Sequence, residues 1–214
     1  MTYYAINGSP RKTHNTATIL NKALEGVKAA DPQAQTELIH LYSHDFSGCV
    51  SCFECKRLGG KSYGKCAVRD GLERLADADG IIFGSPVYFH SITGKMRMFF
   101  ERLLFQYFVY DADYSSLAPK RMPTAFVYTM NVPYQVMLES HYTESFQSME
   151  LFIGKIFGKP ETLYVNDTYQ FSDYSKYKVE CFSEPDKARQ RERQFPIDCQ
   201  KAFELGKDLV KRNS

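Results

Sequence analysis

Short apolar runs rich in β-branched and aromatic residues alternate along the chain with longer stretches whose apolar positions recur every three or four residues. That rhythm predicts a parallel sheet with helices on both faces. The runs Tyr3–Asn7, Glu37–Leu41, Gly80–Gly84, Thr124–Thr129 and Glu161–Val165 predict five strands. Several are apolar throughout, as expected where both sheet faces are covered. Between them, Ile19, Leu20, Ala23, Leu24 and Val27 recur at helical spacing, as do Met96, Phe99, Phe100, Leu103, Leu104 and Tyr107. A third set, Leu138, Tyr142, Phe146, Met149, Ile153 and Ile156, predicts one helix stopped by Gly158, and a last helix is expected from roughly Pro185 to Lys211. Five strands with intervening helices fit an open, doubly wound α/β sheet, a three-layer sandwich for which we expect the strand order 2-1-3-4-5.

Two segments exceed the short connections of such a sheet: residues 42–68, rich in cysteine, and residues 166–184, irregular but aromatic enough to pack. With 214 residues, 43% hydrophobic and 24% charged, and no internal repeat or composition break, the chain reads as one domain over 1–214. A net charge of +2 gives no electrostatic footprint for a nucleic acid partner. No apolar stretch approaches the ~18 residues needed to span a bilayer, and the N-terminus has no export signal, so we expect a cytoplasmic protein with no membrane contact. Its six cysteines are then expected as thiols, metal ligands or redox groups rather than structural disulfides.

In a doubly wound sheet the ligand lies beyond the carboxyl ends of the strands, at the point where strand order reverses. After the first strand comes Gly8-Ser9-Pro10-Arg11-Lys12-Thr13-His14-Asn15-Thr16, with a single glycine, so neither a Walker A loop nor G-x-G-x-x-G is present. What it offers is a helix N-terminus flanked by the side chains of Ser9, Thr13, Asn15 and Thr16 and the cation Arg11, parts suited to one phosphate monoester. A plainer reading makes Asn15 or Thr16 a helix cap and turns Arg11 to solvent. The third strand ends in Gly84-Ser85-Pro86-Val87-Tyr88-Phe89-His90-Ser91, whose proline and aromatics suit a flat aromatic ligand, or else pack as ordinary loop residues.

Three groups of residues together resemble the flavodoxin-like, NAD(P)H-dependent FMN reductases, near their iron-sulfur flavoprotein branch. They are Asn7-Gly8-Ser9-Pro10-Arg11 with Asn15-Thr16; Cys49-x-x-Cys52-x-x-Cys55 leading to Gly64-Lys65-Cys66 and Asp70; and Gly84-Ser85-Pro86-Val87-Tyr88 with Gly94-Lys95-Met96. The resemblance implies that Ser9, Arg11, Asn15 and Thr16, with Thr13 beside them, hold the phosphate of FMN. It places Pro86, Val87, Tyr88, Phe89, His90 and Ser91 along the isoalloxazine, with Thr129, Met130 and Asn131 closing the other side. Met130-Asn131 departs from the glycine-bearing loop common in the family. The cofactor would carry the electron chemistry, so no catalytic acid or base is expected, His90 being a proton-donor candidate only. The implied activity passes electrons from NAD(P)H to a small acceptor such as a quinone, a flavin or a nitro compound.

The spacing C-x2-C-x2-C-x10-C at Cys49, Cys52, Cys55 and Cys66 resembles the thiolate runs that hold a 4Fe-4S cluster, though the last cysteine comes later than is usual in the iron-sulfur branch. Zinc and plain thiols in a basic field (Lys56, Arg57, Lys61, Lys65 and Arg69 against Glu54 and Asp70) are the other readings. Cys199 falls in register with Ala202, Leu205 and Leu209 and is expected in the core. A cluster would make the protein an electron-transfer iron-sulfur flavoprotein working with a redox carrier protein; without flavin, the scaffold would be a non-catalytic metal- or partner-binding module. Six aromatics lie between Phe99 and Tyr110, more than one helix face buries, and the resemblance favours a homodimer or homotetramer.

Overall fold

The computed structural model describes residues 1–61 and 74–213. Its elements are β1 (Thr2–Asn7), α1 (Asn15–Ala30), β2 (Gln35–His40), α2 (Glu54–Arg57), β3 (Gly80–Tyr88), β4 (Ser91–Ile92) and α3 (Gly94–Phe105), followed by β5 (Thr124–Thr129), α4 (Tyr134–Glu139), α5 (Tyr142–Ile156), β6 (Glu161–Val165), α6 (Glu184–Arg193) and α7 (Phe195–Lys211). Five strands run parallel in the order β2-β1-β3-β5-β6, which is the expected 2-1-3-4-5 among the long strands. The strand count is corrected to six, because β4 turns back antiparallel on the end of β3. That hairpin exists because β3 continues past Gly84 to Tyr88. Ser85 and Pro86 pair with Tyr128 and Thr129, and Pro86 sits on the last rung, where a missing N–H costs least.

Two cores follow from the period-2 alternation of the strands. Tyr4, Ile6, Ile81, Phe83, Phe126 and Tyr128 face α3 and α5, while Tyr3, Ala5, Ile82, Ala125 and Val127 face α1 and α7. On the first side Tyr128 is sandwiched between Phe126 and Phe146, with ring centroids 4.2 and 4.1 Å away. On the second, α1 and α7 cross where each lacks a side chain. A Cβ on Gly26 would lie 1.9 Å from the carbonyl oxygen of Phe203, and one on Gly206 would lie 1.8 Å from that of Ala23.

Two predicted helices are each divided. The stripe through Leu138 and Tyr142 crosses a break at His141, whose φ of 55° is left-handed, so Leu138 belongs to the short α4 and is partly exposed while Met137 is buried. The C-terminal helix breaks at Gln194, since Pro196 could not continue a helix without losing a hydrogen bond and meeting the carbonyl four residues back. Among the described residues no helix is long and apolar enough to cross a membrane.

Candidate functional site

Strands β1 and β3 end side by side, and the loop after β1 is shaped by its own short-range hydrogen bonds. The Gly8 amide donates to Gly84 O (2.8 Å), and Thr93 Oγ1 donates to Gly8 O (2.7 Å). A Cβ on Gly8 would stand 2.9 Å from Met96 Cε and 3.2 Å from Gly84 O, so a side chain here would press on Met96 and on the end of β3. Asn7 Oδ1 accepts from the Ser9 amide (2.9 Å), and Ser9 Oγ accepts from the Arg11 amide (3.1 Å). These local turns bury Ser9 and deliver the chain to α1.

Neither Asn15 nor Thr16 caps α1, which corrects the plainer reading. The N-cap residue is His14, and it makes no side-chain cap bond. Asn15 Nδ2 instead donates to Tyr169 O (2.9 Å), and Asn15 Oδ1 accepts from Arg191 (3.0 Å). Thr16 Oγ1 meets Thr129 Oγ1 at 2.7 Å in the interior. The amides of the first turn therefore keep their positive end of the helix dipole without side-chain competition.

A cleft of about 120 Å³ opens over this turn. Its walls bring together Ser9, Arg11, Asn15 and Thr16 from the first loop, Pro86, Val87 and Tyr88 from the end of β3, and Thr129, Met130 and Asn131 after β5. Burial raises the Tyr88 phenol pKa, and the Arg11 guanidinium opposes that rise, a sign that the two loops share one electrostatic environment. Four expected residues stand outside the walls. Thr13 is exposed on the rim. Phe89 and His90 form the tip of the β3–β4 hairpin with φ of 49° and 63°, the geometry of a tight two-residue turn. Phe89 projects fully into solvent, and His90 packs its ring on Tyr142 at 4.0 Å; Ser91 begins the return strand.

Three residues of the walls were missed in the sequence: His14, Thr168 and Gln170. The last two come from the irregular segment after β6, where composition gave no signal of direction. Thr168 is buried and bonds Met130 O through both its amide (3.0 Å) and its hydroxyl (3.1 Å). Asn131 Nδ2 donates to Gln170 Oε1 (2.8 Å), and the buried Lys187 ammonium donates to both Asn131 O and the Asp167 carboxylate.

The cysteine-rich segment lies along α3, whose N-terminus touches the Gly8 loop. The buried Arg102 guanidinium donates to Ser47 O (2.6 Å) and Gly48 O (2.8 Å), and Glu101 Oε2 accepts from the Cys49 amide (3.2 Å). Lys56 donates to the carbonyls of Phe105 and Phe108; burial lowers its pKa, opposed by the nearby Cys55 and Cys49. Cys55 is buried, Cys49 half-buried and Cys52 exposed, while Cys66 lies outside the described residues. Among the described residues no three His, Cys, Asp or Glu side chains gather in a way that would hold a metal ion. Cys199 packs at the edge of the α1/α7 core, as expected. A wider groove of about 1090 Å³, between residues 113–118 and the outer face of α5, contains none of the expected site residues.

A family model for NADPH-dependent FMN reductase matches residues 1–133. Over 106 residues the chain is 35% identical to an iron-sulfur flavoprotein of Methanocaldococcus jannaschii, covering 48% of this chain and 51% of that one. An iron-sulfur flavoprotein of Archaeoglobus fulgidus is likewise 35% identical over 106 residues, 48% of each. The chain thus spans about half the length of the curated relatives it matches. Among solved structures, the NAD(P)H:quinone oxidoreductase from Methanothermobacter marburgensis superposes with a TM-score of 0.70 at 16% identity, covering 98% of this chain and 97% of that one. Azoreductase AzrA gives 0.65 at 14% identity, covering 97% and 100%. At such identities the likeness is one of fold, the flavodoxin-like sandwich.

Proposed function

The chain belongs to the NADPH-dependent FMN reductase family, and we propose that it is an FMN-dependent oxidoreductase that passes electrons from NAD(P)H to a small acceptor such as a quinone, a flavin or a nitro compound. The observation that carries this reading is the convergence of the loops after β1, β3 and β5 on one cleft, over a helix N-terminus that has no side-chain cap. The donor set fits a phosphate monoester: Ser9, Arg11, Asn15 and Thr16 supply hydroxyl, guanidinium and amide groups, and no acidic side chain lines the cleft among the described residues. Pro86, Val87 and Tyr88 would flank the ring on one side and Thr129, Met130 and Asn131 on the other. When bound, FMN supplies the exchange between two-electron and one-electron chemistry. The protein's part is to bind and orient. The buried Thr16–Thr129 hydroxyl pair couples the first loop to the third, and the Asn7–Ser9–Arg11 relay fixes the first before any ligand arrives. His90 is held on Tyr142, outside the cleft walls, so the reading needs no side-chain proton donor from it.

The same reading takes residues 1–214 as one FMN-binding domain acting in the cytoplasm. Exposed Tyr110, Tyr114 and Phe152, clustered around Phe108, support a homodimer or homotetramer.

A second reading, an electron-transfer iron-sulfur flavoprotein serving a redox carrier protein, is favoured by the relatives' names and by the attachment of the Cys49–Cys55 segment to α3. One preparation separates the two. Protein purified without air is expected to show a two-banded flavin spectrum and to oxidise NAD(P)H in the presence of a quinone. Iron and acid-labile sulfide together with that spectrum, and poor NAD(P)H use, would favour the second reading; a colourless protein that takes up no added FMN would overturn both.

A further inference from the structure

The segment after β6 lies outside the part of the chain matched by the family model, yet it roofs the cleft. Its attachments are specific. Asp167, in the left-handed region at φ 56°, donates its amide to Val132 O (2.9 Å) and is paired with the buried Lys187. Thr168 is tied twice to Met130 O. Tyr169 O then accepts from Asn15 Nδ2 (2.9 Å), and Gln170 O accepts from Arg11 Nη1 (2.5 Å). Two further bonds fasten Gln170 itself: its side-chain oxygen accepts from Asn131, and its amide donates to the Tyr174 hydroxyl (3.0 Å). Beyond it, Tyr169, Phe171, Tyr174 and Tyr177 pack ring against ring.

The roof and floor bound the same small space. About 120 Å³ is room for roughly four waters at ~30 Å³ each, or one tetrahedral oxyanion, and falls well short of the roughly 300–1,000 Å³ that enclose a drug-sized ligand. With the roof down, a phosphate end fits in this space and a whole flavin does not, so a ring flanked by Val87 and Tyr88 would extend beyond the roofed part. Two of the donors that a phosphate needs, on Arg11 and Asn15, already carry carbonyl oxygens of the roof. Arg11 has further N–H groups to offer and a phosphate oxygen is the stronger acceptor, so the same side chains can serve ligand and roof together.

From these contacts we infer that residues 167–174 are a strap that lifts to admit the phosphate end of a flavin and closes over it, setting the exchange rate and making the flavin a resident group rather than a diffusing substrate. This rests on the flavin reading above and adds the segment that retains the cofactor. Two variants loosen the strap without touching its carbonyls: Gln170→Ala removes the contact with Asn131, and Tyr174→Phe removes the hydroxyl that receives the Gln170 amide. With the full chain, release of FMN and of riboflavin is followed by the recovery of flavin fluorescence on dilution. Each variant is expected to release FMN about fivefold to tenfold faster, the loss of one hydrogen bond, with riboflavin release unchanged because it has no phosphate to enclose. Unchanged FMN release would overturn the strap while leaving the flavin reading intact. So would an equal acceleration for both flavins, which marks a general loosening of the fold. Failure of the unaltered chain to bind FMN would overturn the flavin reading and the strap with it. Tyr174→Phe, the milder change, decides the matter where Gln170→Ala lowers the unfolding midpoint in urea.

Discussion

Arg11 is exposed, yet its guanidinium meets the Gln170 carbonyl and its field reaches the Tyr88 phenol. In the proposed flavin site such a cation would serve the phosphate. Arg11→Ala is expected to weaken FMN about 10- to 100-fold, the range for a hydrogen bond to a charged group, and to leave riboflavin affinity nearly unchanged. Titration of flavin fluorescence with both ligands checks this; equal weakening would remove Arg11 from the phosphate end. The residues of the first loop were legible in the sequence because they act within a few positions of one another: Asn7 on Ser9, Ser9 on Arg11. Thr168 and Gln170 were not, since nothing local records that a segment after the last strand folds back over the first loop. Phe89 and His90 are placed along the ring only by the family resemblance. Their left-handed backbone, rare for an aromatic residue, turns them away and leaves no trace in a propensity.

Apolar periodicity located every long strand, and it ran separate helices together where a local backbone feature divides them. The stripe from Leu138 to Ile156 continues across His141 although the helix does not, because spacing counts side chains and is blind to one residue with positive φ. Pro196 was visible within the predicted last helix, and a proline inside such a pattern is a break signal that the apolar stripe of α7 outweighed. At the other end of the sheet, Asp79 joins elements that periodicity cannot connect. Its carboxylate accepts from the Thr2 amide (2.7 Å) at the start of β1 and from Lys120 (2.8 Å) ahead of β5. Burial pushes the Asp79 pKa up, but Lys120 and the Thr2 amide together outweigh it, and the net direction is down from 3.8. A carboxyl whose folded pKa lies below its unfolded one contributes stability that is present above the unfolded value and is lost as pH falls through the folded value. Asp79→Asn is therefore expected to be less stable than the parent chain at pH 7, with the gap narrowing once the pH drops below 3.8. Urea midpoints measured at both ends of that window test it; a gap independent of pH would show that Asp79 acts through shape rather than charge.

The doubly wound architecture and the position of the cleft at the carboxyl ends of β1, β3 and β5 were both readable from the order of elements, since a parallel sheet with right-handed crossovers admits few arrangements. The crossing of α1 and α7 was not, because it depends on two glycines far apart in the chain that look like ordinary helix interruptions. Gly206→Ala would set a methyl group 1.8 Å from the Ala23 carbonyl oxygen, an overlap that the two helices can relieve only by separating. We expect a loss of at least about 3 kcal/mol, the upper part of the range for overpacking, read as a lower thermal midpoint together with weaker FMN retention. A fall in stability with unchanged FMN retention would show that the cleft tolerates movement of α1.

The same crossing bears on how the protein assembles. The helix whose first turn forms the floor of the cleft lies near one end of the described chain, and the helix that buries its opposite flank lies near the other. During synthesis, α1 waits with an apolar face uncovered until α7 has been made. Contacts of such long sequence separation form slowly, because the intervening chain must be closed into a loop first. The ligand-binding helix is thus made well before the helix that covers it, and its burial waits on that later partner.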